Sequence, residues 1–74
     1  MKVKYQYIHF VKAEKNKKEH WEVYNNRTGS LLAYIIWYPS WKQWVTTQAQ
    51  EQIIFSDSCF LDIIDFKKQL EPPK

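Results

Sequence analysis

Apolar and polar positions alternate loosely over residues 3–12, VKYQYIHFVK, a run rich in Val, Tyr, Ile and Phe that predicts a strand. EKNKKE (14–19) reads as a charged, solvated turn, and alternation resumes in HWEVYN (20–25). NNRTGS (25–30) is a second turn and holds the chain's only glycine, Gly29, placed for the left-handed residue of a three-residue hairpin loop. LLAYIIWY (31–38) is apolar on both faces of a predicted third strand, Pro39-Ser40 breaks it, and WKQWVTTQ (41–48) returns as a fourth. AQEQ is a loop, and IIF (53–55) is either a short fifth strand or an extended lead-in.

From Ser56 the period changes. Cys59, Ile63, Phe66 and Leu70 recur at i, i+4, i+7 and i+11, one stripe of a helix, with Phe60 beside it. Ser56 or Ser58 can cap its start, Asp57 suits the N-terminal dipole, and Lys67 and Lys68 suit the C-terminal end. The expected fold is therefore α+β: a four-stranded antiparallel meander, with or without the short fifth strand, and one C-terminal helix packed across one face. A single domain covers residues 1–74, with an ordered core over 3–70 and a tail from 71 to 74.

Turn positions give a register, and the register sorts the side chains. An Arg27-Thr28-Gly29 loop sets Val23 opposite Ala33 and Trp21 opposite Ile35. A tight Pro39-Ser40 turn sets Ile35 opposite Trp44 and Tyr34 opposite Val45, and the first turn sets Lys12 opposite Glu19. One face then holds Ile8, Phe10, Trp21, Val23, Ala33, Ile35, Trp37 and Trp44, without charge in its central strands, and is the natural bed for the helix. The other collects Tyr5, Tyr7, His9, His20, Glu22, Tyr24, Leu32, Tyr34, Ile36, Tyr38, Trp41 and Gln43. A slip of one residue would exchange the two faces.

Composition sharpens the second face. Aromatics make up 18% of the chain, with four tryptophans. A 74-residue domain buries only about 60% of its unfolded surface, so part of that excess must stabilise a thin core. The five tyrosines, both histidines and Trp41 fall on the open face, where rings with polar handles sit with one side dry and the other wet. The same tyrosines can also simply cover a thin sheet. Net charge is +3, unevenly spread: residues 1–44 carry eight basic and three acidic side chains, and residues 45–74 three and five. A basic half suits an anionic partner, and equally suits an ordinary solvated face.

Chemistry finds little foothold. Cys59, the only cysteine, begins the buried helix stripe, where a core role is the commoner fate than a nucleophile's. Two histidines and one cysteine match no metal-ligand spacing, and one glycine makes no phosphate-binding loop. No catalytic residue, metal or cofactor is expected. No apolar run approaches the roughly 20 residues of a membrane span or forms a signal peptide, so a cytoplasmic protein without membrane contact is the expectation.

Binding has more to recommend it. Tyr34, Tyr38 and Trp41 are the expected stacking platforms for a single-stranded nucleic acid, with Lys42, Arg27 and Lys4 as phosphate contacts. The alternative is a protein-interaction module, contacting a host protein or forming a homodimer through the open sheet face, because Tyr and Trp also dominate interface hot spots.

WEVYNNRTGSLLAYIIWYPSWKQWV followed by IIFSDSCFLDIIDF resembles a family of small uncharacterised bacterial and phage proteins. Its Trp-Glu-Val strand, Asn-x-x-x-Gly turn, Trp-Tyr-x-x-Trp hairpin and Phe-Ser-x-x-Cys helix start match over residues 21–66, with Phe60 standing where leucine is usual. The resemblance implies a single domain in a phage or mobile-element setting and carries no activity. The topology is also analogous to single-stranded-DNA-binding coactivator and whirly-type domains, which use aromatic and basic sheet surfaces; a shared fold does not fix a function.

Overall fold

The computed structural model describes residues 1–73. Four strands, β1 (Ile8–Lys15), β2 (Lys18–Asn25), β3 (Leu31–Tyr38) and β4 (Gln43–Gln48), form an antiparallel meander in chain order, and one helix, α1 (Asp57–Lys67), follows. The expected α+β architecture is the observed one. Residues 53–56 pair with no strand, so the fifth-strand reading of 53–55 does not hold and the segment leads into α1 through Ser56, whose backbone is extended.

The core lies between α1 and one sheet face. Ile8, Phe10, Trp21, Val23, Ala33 and Ile35 are buried from the sheet, Ile63 and Phe66 from the helix, and Trp44, Cys59 and Leu70 pack at the margin. Phe66 is the keystone: its ring stacks on Phe10 at 3.9 Å between centroids and meets Trp21 edge-on at 4.9 Å. Ser56 caps α1 by accepting from the Cys59 amide at 3.3 Å, and Asp57 and Lys67 fall at the ends that suit their charges. Cys59 is half-buried, as expected of a core residue.

Loop lengths differ from expectation, yet the faces survive. The first turn is only Asn16-Lys17, both left-handed (φ 54° and 63°), so β1 and β2 run on to a Lys15–Lys18 pair and Lys12 lies opposite Trp21 rather than Glu19. Lys12 still meets Glu19 as its diagonal neighbour, 3.5 Å away. Between β2 and β3 the register is the expected one, Trp21 to Ile35 and Val23 to Ala33, with a bulge after Val23. The loop beyond the bulge is Asn26–Gly29, held by Asn25, whose Oδ1 accepts the amides of Arg27 and Thr28 and whose carbonyl accepts that of Gly29 (φ 74°). The third turn spans Pro39–Lys42, so Trp37 rather than Ile35 faces Trp44, and Trp41 belongs to the turn and not to β4. Both displaced registers moved by two residues, an even number, and side chains therefore kept their faces.

The start of the chain departs most. Residues 3–5 do not extend β1; they fold back beside it through a tight turn at Gln6-Tyr7, with Tyr5 N–H donating to Ile8 O and Phe10 N–H to Val3 O. Asn26 locks this turn to the sheet, its Nδ2 donating to the carbonyls of Tyr5 and Gln6 and its Oδ1 lying 2.7 Å from His9 Nδ1. Tyr5, expected on the open face, is consequently buried in the core. Its hydroxyl donates to Asp65 Oδ2 at 2.7 Å, while Lys2 N–H and O pair with the side chain of Gln69. Burial, then the Asp65 hydrogen bond, pushes the Tyr5 phenol up to about 12.

The expected tail from 71 to 74 is described as far as Pro73, Lys74 lying outside the described residues. Glu71 accepts a hydrogen bond from Trp44 Nε1 through its carbonyl at 3.0 Å, which ties the chain end to β4.

Candidate functional site

The sheet face away from α1 carries no other described element. Alternation along the strands puts His9, Val11 and Ala13 there from β1, His20, Glu22 and Tyr24 from β2, Tyr34, Ile36 and Tyr38 from β3, and Gln43, Val45 and Thr47 from β4. Leu32, expected in this set, is half-buried and packed against the core cluster at the bulged end.

Rings on this face come in pairs. His9 stacks on Tyr24 at 5.5 Å and 18°, across the β1–β2 register. His20 meets Tyr34 edge-on at 5.9 Å, across the β2–β3 boundary. Tyr38 meets Trp41 at 4.7 Å and 65°, and these two are exposed by 39% and 65%. The register sets the three pairs on a diagonal from the base of β1 and β2 to the tip of β3, a rise of roughly 20 Å at about 3.3 Å per residue. The three pairs offer stacking places for about three bases of an extended strand.

Trp41 is there because of its turn. Trp41 N–H donates to Tyr38 O and Lys42 N–H to Pro39 O, and Lys42 takes a left-handed φ of 52°, so the chain closes tightly over the end of β3 and delivers the indole to Tyr38. Tyr24 is held differently. Its hydroxyl donates to Glu22 Oε1 at 3.0 Å, and that bond raises the phenol above its usual value.

The six residues expected to bind divide between two ends of the sheet. Tyr38, Trp41 and Lys42 gather at the β3–β4 turn, Tyr34 stands mid-sheet, and Arg27 and Lys4 lie at the opposite end, in the β2–β3 loop and beside β1. Lys42 lines a groove with Trp37, Trp44, Lys67 and Lys68, on the α1 side of the sheet, so it flanks the aromatic track from behind. Sequence reasoning had Tyr34 in its site but left out His9, Tyr24 and His20, although it placed each of these rings on the open face; period-2 alternation carried that signal, and the stacking needed the register.

The two hairpins also part at the upper end. Pairing of β2 with β3 ends at Trp21 and Ile35, whereas β1–β2 runs on to Lys15 and Lys18 and β3–β4 to Tyr38 and Gln43. A broad concavity opens between the arms, lined on one side by Lys15, Lys18 and His20 and on the other by Tyr34, Ile36 and Pro39, with Glu14, Glu19, Glu22 and the Glu71–Pro73 segment also on its walls, so its charge is mixed. Lysines at the first turn therefore lie across this opening from the exposed Tyr38–Trp41 end of the track.

Among the described residues no three His, Cys, Asp or Glu side chains gather as a metal site requires. No helix among the described residues is long and apolar enough to cross a membrane. Fold and face together define a small α+β domain with one sheet surface covered by its helix and the other bare and aromatic. Comparison of the chain with protein families, with curated proteins and with solved structures finds no match.

Proposed function

We propose that this protein is a non-enzymatic binding module whose open sheet face takes single-stranded nucleic acid. The observation that carries the reading is the diagonal of three aromatic pairs, His9–Tyr24, His20–Tyr34 and Tyr38–Trp41, across an uncovered face. Unpaired bases stack on such rings without regard to sequence, at about 1–3 kcal/mol per base. Cations stand at both ends: Lys4 and Arg27 below, Lys15, Lys17, Lys18 and Lys42 above. A strand laid along the track meets rings in the middle and lysines where its phosphates enter and leave. Duplex, whose bases are already stacked, offers the track no π-faces.

The test is fluorescence anisotropy with labelled single-stranded DNA, single-stranded RNA and duplex at two salt concentrations. Micromolar binding that prefers single strands and weakens with salt is the expected result. Replacing Tyr38 and Trp41 together with alanine removes it while far-UV circular dichroism stays unchanged, because both side chains are exposed. Unaltered affinity in that variant refutes the stacking track.

One observation favours a second reading. Glu22 sits in the middle of the face, opposite Val11 and Tyr34, with Ile36 and Val45 nearby. A central carboxylate repels phosphate and suits a protein surface, so salt-tolerant capture of a defined protein with no oligonucleotide affinity selects this reading instead.

A further inference from the structure

The solvent side of α1 is patterned as deliberately as its core side. Asp57, Leu61, Ile64 and Lys68 stand at i, i+4, i+7 and i+11, and at about 100° per residue all four lie within about 50° of the line opposite the core stripe of Cys59, Ile63, Phe66 and Leu70. Ile64 is at the margin, where it and Lys68 also line the groove beside Trp37, Lys42 and Trp44. All four are exposed, Leu61 by 64% and Ile64 by 47%. Phe60, 48% exposed, flanks the seam, and Ile54, two residues ahead of the helix cap, is 93% exposed. Spacings of four, three and four residues are those of a helix–helix seam. Neither end charge has an ion-pair partner among the described residues, where the one ion pair is Lys12–Glu19.

We infer that this stripe pairs with the same stripe of a second copy, α1 against α1 and antiparallel. The charges choose the partner. With an acid at the first position, a base at the last and apolar residues between, the stripe is complementary to itself when reversed. A two-fold axis midway between Leu61 and Ile64 sets each Leu61 against Ile64 of the second copy. It also sets each Asp57 against the second copy's Lys68. In an antiparallel pair the same flank meets its counterpart, so Phe60 lies beside the other copy's Lys67 and Ser58 beside its Asp65, and no like charges are opposed. A parallel pair would instead set Asp57 on Asp57 and Lys68 on Lys68. The apolar side chains and charged ends of two copies cover on the order of 1,000 Å², the lower bound for a specific interface and the size of a weak, reversible one. A small domain with a thin core gains stability from such pairing.

Sedimentation velocity on the full chain across a concentration series tests this. A dimer in the micromolar range is expected, and a chain that stays monomeric at several hundred micromolar overturns the inference. Ile64→Asp, at an exposed position, weakens the dimer about 100-fold or more with the thermal midpoint of the dilute monomer little changed. A dimer that survives Ile64→Asp uses another face and also overturns it. The register has its own test. Asp57→Lys and Lys68→Asp each weaken their own homodimer about tenfold, because each variant opposes two like-charge pairs. Mixed in equal amounts they recover nearly the wild-type association, since the mixed pair restores opposite charges at both ends. Failure of the mixture to recover refutes the antiparallel seam even where a dimer exists.

Discussion

Phe66→Ala is the substitution that most directly probes how the helix is held. Phe66 is fully buried, stacked on Phe10 and edge-on to Trp21, and it joins α1 to β1 and β2 at once. Removing a buried phenylalanine costs about 3–5 kcal/mol in transfer and cavity terms. Each lost aromatic contact adds about 0.5–1.5 kcal/mol beyond burial, so the upper half of that range applies. The whole domain, at roughly 0.05–0.15 kcal/mol per residue, has about 4–11 kcal/mol to lose. Phe66→Ala therefore removes about 4–5 kcal/mol, at least a third of that total, and a domain at the low end of the range is unfolded at 25 °C. Phe66→Leu fills most of the volume and forfeits chiefly the ring contacts, about 1–2.5 kcal/mol, and remains folded. Urea unfolding followed by tryptophan fluorescence measures both, with Trp21 reporting from against the site. A loss below about 1.5 kcal/mol for Phe66→Ala would mean that the helix is not seated through this ring, and the described core would be wrong.

Tyr5 titrates near 12 in the folded chain against an ordinary value near 10, so the folded state holds this proton more tightly. Its contribution is complete below pH 10 and is lost as pH rises from 10 to 12; Tyr5→Phe should flatten that part of the stability–pH curve measured by urea unfolding. Lys17→Gly should raise the urea midpoint by the equivalent of about 0.5–1 kcal/mol, because Asn16-Lys17 is a two-residue turn with both residues left-handed and glycine relieves the second. Thr46→Val should stabilise by about 1 kcal/mol in the same assay: Thr46 Oγ1 is buried with no hydrogen-bond partner among the described residues, and a methyl group of similar size carries no such debt.

Faces were legible where register was not. The alternation from Trp21 to Ile35 is strict enough that any plausible loop length sorts the same residues inward, provided its error is even. Both misjudged turns erred by two, since EKNKKE holds strand residues on either side of Asn16-Lys17, and Pro39-Ser40 is only half of a four-residue loop. The helix was readable because its apolar period, cap and end charges agree, over a segment without competing alternation. Tyr5 could not be placed, because Gln6-Tyr7 turns the chain without glycine, proline or asparagine, and VKYQYIHFVK reads as one strand. What closes that turn is Asn26, twenty residues away in sequence from Gln6, and such a tertiary clamp leaves no local signature. Trp41 misled for a related reason: an indole in a turn looks like a strand residue until the turn's own hydrogen bonds are known.

The open face and the helix seam lie on opposite sides of the molecule, and this separation makes a prediction that neither surface makes alone. Pairing through α1 sets two sheets back to back with both aromatic tracks facing outward. A strand of about six nucleotides then occupies one track without reaching the other, and each copy binds independently. Affinity for such a short strand should therefore be the same, within about twofold, for the wild type and for Ile64→Asp, measured by anisotropy at a protein concentration where the wild type is dimeric. Sedimentation of the complex should show two strands per wild-type dimer and one per variant monomer. If dimerisation instead buried the aromatic face, strand binding and self-association would compete. Ile64→Asp would leave that dimer intact, and saturating oligonucleotide would dissociate it. Competition of that kind would move the interface from the helix to the sheet, and would show that the rings His9, Tyr24, Tyr34 and Tyr38 serve both contacts in turn.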